Sequence, residues 1–374
     1  MKVGILTFHR AHNCGAMLQN YALQTVLRRL GAEPETIDFN TIGEEHRFRK
    51  MRAPSIKGYI RNVLEFLFSL GSFDLRLWRF NSFRRRFIRT TCRMTASNLC
   101  KLDFDCYVVG SDQVFQPNLT APLTEDFLLS SVKDGNKKYT YAASFGYPSL
   151  PVEFRDKYKA ALSDFAGLSV RENTGKKIIK EELGVEKEVS VVVDPTLLLE
   201  EKDYWPLESR IRAPQAYVLV YSIGGADAAL RRAARVIAGT LNIKVVFVNA
   251  CRRHYMDVPF SDYISVSPDR LLYLMHHARF VVTSSFHGLA FSLIYHKPFL
   301  AIAPAVSKVT TRITELLSNM GLSGNLIMER DAGGVFDVGK LMDIDWRQVD
   351  ARIDGLRASS MEYLKRMVVR EGES

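Results

Sequence analysis

The stretch Phe280-Val-Val-Thr-Ser-Ser-Phe-His287-Gly288 joins an apolar run to a Ser-Ser-aromatic-His-Gly turn and a helix that ends before Pro298. Arg279 to Thr283 reads as a buried parallel strand and Leu289 to Tyr295 as the following helix, which places His287 near the helix start. Unpaired N–H groups and the positive end of the helix dipole favour an anion there, and Gly288 allows a phosphate or carboxylate to approach the backbone. Ser284 and Ser285 stand beside it as candidate ligands. A lone histidine after a strand is more often packed or capped than catalytic, so the reading depends on what else the chain brings to the strand ends.

The elements that must position these residues are strands alternating with helices. Strand-like runs cover Val3 to Phe8, Glu35 to Phe39, Cys106 to Gly110, Lys138 to Ala142, Leu168 to Val170 and Val189 to Val193, with a helix from Ala16 to Leu30. The segment Glu200 to Pro214, with Trp205-Pro206 and Ala213-Pro214, reads as a crossing to a second half. That half alternates Tyr217 to Ser222, a helix from Ala226 to Thr240, Lys244 to Asn249, a helix from Pro268 to His277, Arg279 to Thr283, a helix to His296 and Phe299 to Ile302; a charged helix from about Trp346 to Val369 closes the chain. The expectation is an α/β protein of two domains, residues 1–210 and 211–374, each with a parallel sheet and together facing a cleft. In such sheets ligands bind beyond the carboxyl ends of the strands.

Collecting the polar residues at those ends gives Thr7-Phe-His9-Arg-Ala-His12-Asn13-Cys-Gly15, Gly110-Ser111-Asp112-Gln113, Ser144-Phe-Gly146, Ser169-Val-Arg171-Glu172, Asp194-Pro195-Thr196, the Ser284–Gly288 turn, and the cationic run Lys308 to Arg312 opening a further helix. Asn13 and Gly15 suit a tight turn into a helix. Each has an ordinary explanation by itself: Asp112 and Asp194 could cap turns, and Arg171-Glu172 could be a surface pair worth under about 1 kcal/mol. Gly224-Gly225 lacks the full G-x-G-x-x-G pattern and is a weak phosphate-loop signal.

Composition bounds the partners. A length of 374 residues suits two cores. The net charge of +10 favours anionic partners. Much of it falls in a basic, aromatic-rich insert at about 43–95, where Tyr59 to Leu70, Leu75 to Phe80 and Phe83-Arg-Arg-Arg-Phe87 set apolar residues at helical spacing against arginine. That pattern fits an amphipathic helix on an anionic membrane surface, or equally a helical hairpin packed on its own domain. No nucleic-acid-binding motif accompanies it. The five cysteines are irregularly spaced, without a C-x-x-C pair, so neither a disulfide framework nor a zinc site is signalled and a cytoplasmic protein is expected. The short apolar run before His9 is no signal-peptide core.

At these residues the chain resembles the polysaccharide pyruvyl transferase family. The resemblance spans roughly Lys2 to Leu322 and rests on Thr7 to Ala16 with Leu18-Gln19, Val109 to Gln113, Ser169 to Glu172, Val193-Asp-Pro195 with Leu197-Leu-Leu, Thr283 to Gly288, and Arg312 before Leu316-Leu317. It implies a glycosyltransferase-B-like pair of Rossmann-type domains, the donor side in the second. Such an enzyme uses phosphoenolpyruvate to place a pyruvate ketal on a sugar hydroxyl pair in cell-envelope or capsular polysaccharide assembly. One departure stands out: where family members often carry Arg-Leu-His, this chain has Ser285-Phe286-His287. Arg312 and Lys308 are the candidate replacements for that cation. The assignments that follow are His287 as acid or phosphate ligand, Arg171 on phosphate or carboxylate, Asp112 as base with Glu172 second, and Ser284, Ser285, Gly288, Asn13, Gly15 and Ser111 around the substrates. Phosphoenolpyruvate enters as substrate, with no cofactor and no metal expected. The acceptor is expected to be lipid-linked at the inner face of the membrane. The alternatives are a nucleotide-sugar-dependent glycosyltransferase of the same architecture and a noncatalytic polysaccharide-assembly partner.

Overall fold

Short apolar strands separated by helices favour parallel pairing, with the helices as crossovers covering the sheet faces. The computed structural model describes residues 1–39, 72–94, 99, 102–223, 227–249, 263–264, 266–304 and 310–369. It divides into two units. The first comprises residues 1–12, 16–192 and 362–374, and the second residues 13–15 and 193–361.

In the first unit, β1 (Lys2–Leu6) pairs in parallel with β2 (Glu33–Thr36) on one side and β3 (Cys106–Val109) on the other, and β4 (Lys138–Thr140) extends the sheet beyond β3. A further parallel pair, β5 (Leu168–Val170) and β6 (Val189–Val191), is linked to β4 and its exit by single bridges, Tyr139 to Gly167 and Ala143 to Val170. The spatial order is therefore 2-1-3-4, continued by 5-6. Residues 3–6 of β1 and the whole of β3 are buried, which explains their unbroken apolar runs. Pro34 pairs within β2, where an edge strand tolerates the missing N–H. Helix α1 (Cys14–Arg29) lays Met17, Leu18, Leu23, Val26 and Leu27 against the interior.

Among the described residues the second unit has six parallel strands: β7 (Tyr217–Ser222), β8 (Lys244–Asn249), β9 (Tyr263–Ile264), β10 (Phe280–Thr283), β11 (Phe299–Ala303) and β12 (Leu326–Met328), in the order 12-11-10-7-8-9. This is the doubly wound mononucleotide-fold order, and its direction of winding reverses between β7 and β10. In the first unit the reversal lies between β1 and β3. Polar loops following those strands sit where open α/β sheets hold ligands.

The predicted boundary near residue 210 moves to 192/193, and residues 362–374 belong to the first unit. Residues after 192 pack on the second unit, the Tyr204 ring 5.1 Å from that of Phe291 and Glu208 bonded to His276, whereas the last turns of the C-terminal helix (Trp346–Val369) meet the first: Tyr363 is buried, its hydroxyl donates to the Thr140 carbonyl at 2.8 Å, and its ring lies 6.3 Å from that of Tyr141. A charged helical stretch gives no sign in sequence of which sheet its one buried tyrosine will meet. The expected helix from Leu289 begins earlier, at Phe286, because Ser285 caps it.

Of the basic insert, Tyr59 to Leu70 lies outside the described residues. Helix α2 (Ser72–Phe87) buries Phe80 and Phe83 in its own unit, and the Arg76 guanidinium sits 5.1 Å over the Phe80 ring while donating to the His12 carbonyl at 2.7 Å. The described part of the insert thus packs its apolar face internally, leaving Trp78, Arg85 and Arg86 exposed.

Candidate functional site

In the second unit, β10 runs into helix α6 (Phe286–Ile294) through a turn held by its own hydroxyls. Thr283 Oγ1 donates to the Tyr221 carbonyl at 2.7 Å and accepts the Ser285 N–H at 3.0 Å, and the Ser285 side chain accepts the Gly288 N–H at 3.4 Å as the helix N-cap. Ser284 Oγ lies 3.4 Å from Ser222 Oγ, at the end of β7, so the turn sits at the reversal point. Gly288 is required by space: a Cβ there would fall 2.2 Å from Thr283 Oγ1 and 2.9 Å from the Tyr221 ring. Phe286, Leu289, Phe291, Leu293 and Ile294 are all buried, so α6 is a core helix and its start is fixed.

His287, second in α6 and 4% exposed, projects against residues 13–15. Asn13 Oδ1 accepts the Gly15 N–H at 2.9 Å, capping the start of α1, and a Cβ on Gly15 would lie 2.1 Å from His287 Nδ1. Glycine is the residue that lets the imidazole lie against this turn. On the ring's other edge, His287 Nε2 is 3.7 Å from Asp194 Oδ2, too long for a hydrogen bond, and it makes no hydrogen bond among the described residues. Asp194 is itself fully buried; its Oδ1 accepts Thr196 N at 3.0 Å and Thr196 Oγ1 at 2.7 Å, which fixes the carboxylate's orientation. The sequence brought Ser284, Ser285, His287, Gly288, Asn13 and Gly15 forward, and the structure places them together. Asp194, read as a turn cap, is that and also the carboxylate facing His287.

Arg312 is buried in the first turn of helix α7 (Thr310–Met320), which packs against α6. Lys308 and Gly224-Gly225 lie outside the described residues.

The first unit gathers a second set. After β5, Arg171 and Glu172 are buried side by side, Arg171 Nε 3.7 Å from Glu172 Oε2, and Glu172 Oε1 accepts the Ser144 hydroxyl at 2.6 Å. This is a desolvated pair at ion-pair distance, its Nε and Oε2 too far apart for a hydrogen bond. Asp112 has φ +89°, an uncommon backbone for a non-glycine residue, and its Oδ1 accepts the next residue's N–H at 2.8 Å. The turn is pinned by the Ser144 N–H to the Asp112 carbonyl at 3.0 Å. Ser111, fully buried, accepts the Thr7 hydroxyl through its carbonyl at 2.8 Å, and Gln19 donates to Thr7 Oγ1 at 2.9 Å. Ser111 and Asp112 thus stand where winding reverses in this unit.

Sequence reasoning missed a further charged network. Asp38 accepts His9 Nε2 at 2.7 Å and a bidentate Arg10 at 2.5 and 2.6 Å, with Arg84 at 4.0 Å. Burial alone would raise the Asp38 carboxyl, but the hydrogen bonds and charges of His9 and Arg10 outweigh it and hold the group well below the usual carboxylate range. His9 and Arg10 were visible in the first strand-end motif, but nothing there named Asp38 as their partner.

Two parallel-sheet units with polar strand ends at each reversal define an α/β architecture of the glycosyltransferase-B type. Among solved structures the chain is similar to UDP-GlcNAc 2-epimerase from Methanocaldococcus jannaschii, at TM-score 0.53 and 12% identity over 92% of this chain and 94% of that one. A Listeria monocytogenes protein provisionally assigned as a UDP-N-acetylglucosamine 2-epimerase gives TM-score 0.51 at 12% identity, covering 94% and 90%. At such identities the likeness concerns the fold. No curated protein sequence matches the chain. The polysaccharide pyruvyl transferase family model matches residues 13–305, and the chain belongs to that family.

Proposed function

We propose that the protein transfers the pyruvyl group of phosphoenolpyruvate to a pair of sugar hydroxyls as a ketal, in cell-envelope or capsular polysaccharide biosynthesis. The observation that carries this reading is a buried histidine in the first turn of a capped helix, at a sheet reversal point, with Nε2 making no hydrogen bond among the described residues. A helix N-terminus supplies N–H groups and positive potential to a phosphate, and an imidazole beside it can hold or move a proton. Family membership supports pyruvyl transfer, and a buried histidine at a capped helix start supports its reading as an acid or anion ligand.

In the proposed chemistry a proton adds to the enol methylene carbon of the donor, leaving an electron-poor adjacent carbon. One sugar hydroxyl attacks that carbon, phosphate departs, and the second hydroxyl closes the ketal. Of the two hydroxyl protons, one balances the new methyl group and the other leaves with phosphate. His287 is the group for protonating carbon or receiving phosphate, and Arg312 is the buried cation proposed to offset Ser285 where family members carry arginine. In the first unit Arg171 is a further anion ligand. Glu172 is committed to Ser144 and Arg171, so acceptor deprotonation is assigned to Asp112. No metal is assigned a part in the transfer. A lipid-linked acceptor would bring the protein to the inner face of the membrane, with Trp78, Arg85 and Arg86 as exposed contacts. No helix among the described residues is long and apolar enough to cross a membrane.

Calorimetry with phosphoenolpyruvate against a panel of nucleotide sugars tests the donor without needing the acceptor. Saturable phosphoenolpyruvate binding that His287→Ala and Arg171→Ala each abolish supports the assignment. A selective response to a nucleotide sugar would replace it with the glycosyltransferase reading.

A further inference from the structure

Away from the Ser284–Gly288 turn, at the opposite end of α6, the second unit gathers Glu208, His276 and His277, each offering a ligand atom within 4.8 Å of the others'. No motif spacing announces this, because Glu208 lies 68 residues from His276. Two imidazoles and one carboxylate are the donor set of many zinc centres. The His276 Nδ1 to Glu208 separations, 2.9 and 3.2 Å, approach the roughly 3.3 Å between two ligands of one tetrahedral Zn²⁺ at ~2.0–2.1 Å each.

More telling is what stands behind each ligand. A metal-binding histidine presents one nitrogen to the metal and donates its other N–H to a carboxylate or carbonyl, which fixes ring and tautomer. His277 Nδ1 lies 2.9 Å from the Tyr273 carbonyl, a bond that needs the proton on Nδ1 and leaves Nε2 with its lone pair. His276 Nε2 lies 3.2 Å from Glu201 Oε1, leaving Nδ1 for the shared position, and Trp205 Nε1 donates to that same Glu201 oxygen at 3.2 Å. Glu208 Oε1 accepts the Tyr295 hydroxyl at 3.0 Å. The His276 ring lies nearly parallel to two aromatic planes, Trp205 at 6.0 Å and 3° and Tyr295 at 5.1 Å and 15°. Each of the three ligands therefore has its own orienting partner, and a surface cluster formed by chance would not need any.

We propose that Glu208, His276 and His277 form a binding site for one divalent transition-metal ion of the zinc class, with a fourth position open to water because His277 is exposed. Such an ion ties the C-terminal end of the helix Pro268–His277 to the segment 201–208 and to the C-cap of α6.

The test is titration of metal-free full-length protein with Zn²⁺ by calorimetry, and with Co²⁺ by visible absorption. One ion per chain is expected, with Co²⁺ bands of nitrogen and oxygen ligation and no thiolate charge-transfer band. His277→Ala, at an exposed position, should weaken binding at least about tenfold, as should Glu208→Gln. His296→Ala, which removes another histidine–carboxylate pair with Asp350, should bind as the parent does. Absence of saturable binding, survival of binding in His277→Ala, a thiolate band, or loss on His296→Ala would each overturn the proposal.

Discussion

The two ends of helix α6 are built in opposite ways. At its N-terminus, Thr283, Ser285, His287 and Gly288 come from one turn, and their bonds run within six residues except where β7 and residues 13–15 close the site. At its C-terminal end, Tyr295 meets Glu208 and His276, around which Glu201, Trp205 and His277 gather, side chains from three separate stretches. One end is a local device completed by the fold, and the other exists only through the fold. A short turn can specify an anion cradle because backbone N–H groups at a helix start need only a cap and a glycine. A metal-capable cluster needs side chains converging from several directions, and chain proximity supplies none of them.

The strongest way to break this contrast is at His287. Its replacement by alanine should lower turnover about 10²- to 10⁴-fold, the usual range for a general acid, with an unchanged melting curve. Gly15→Ala should come within about tenfold of that loss, because its Cβ would fall 2.1 Å from Nδ1 and displace the same ring. Near-normal steady-state rates in Gly15→Ala would show that the N-terminal end does not depend on residues 13–15.

A loss of activity must be told apart from unfolding, and Asp38 provides the reference. Asp38→Asn leaves Arg10 and His9 without their buried carboxylate and should cost about 3 kcal/mol in denaturant unfolding. The Asp38 carboxyl is held below its ordinary 3.8, so its contribution is complete above that pH and is lost as pH falls through 3.8 toward the lower folded value. The asparagine variant should lack this acid-side decline. An identical pH profile in the two proteins would mean the network contributes nothing.

The smallest effect is expected at the C-terminal end. Tyr295→Phe removes the hydrogen bond that orients Glu208 and should weaken Zn²⁺ binding about tenfold, with affinity for the proposed donor, phosphoenolpyruvate, unaltered in calorimetry. A matching fall in donor affinity would show that the two ends are coupled through α6.

Much of the fold was legible because its strands are unbroken apolar runs. The spans 217–222, 244–249 and 268–277 and the final helix 346–369 fall where periodicity placed them. The strand β12, whose residues are only partly buried, carried no such signal; the boundary moved because Tyr204 packs on Phe291 and Glu208 on His276 in the second unit, and the chain end returned to the first unit through Tyr363. The Ser284–Gly288 turn was readable since serine, histidine and glycine at a strand–helix junction have few other reasons to follow one another. Asp194 looked like a cap and is one, through Thr196; that its second oxygen faces His287 could not be read from a position 93 residues away.

By itself, then, the sequence determined the α/β class, the polar strand ends and the capped, glycine-flanked histidine, because these depend on periodicity and on interactions spanning a few residues. Tertiary structure decided which strand ends share a reversal point, that Gly15 lies against His287, that Asp38 joins His9 and Arg10, and that Glu208 meets His276 and His277. Those pairings are set by strand order and helix packing, which bring together groups whose separation along the chain carries no trace of their contact.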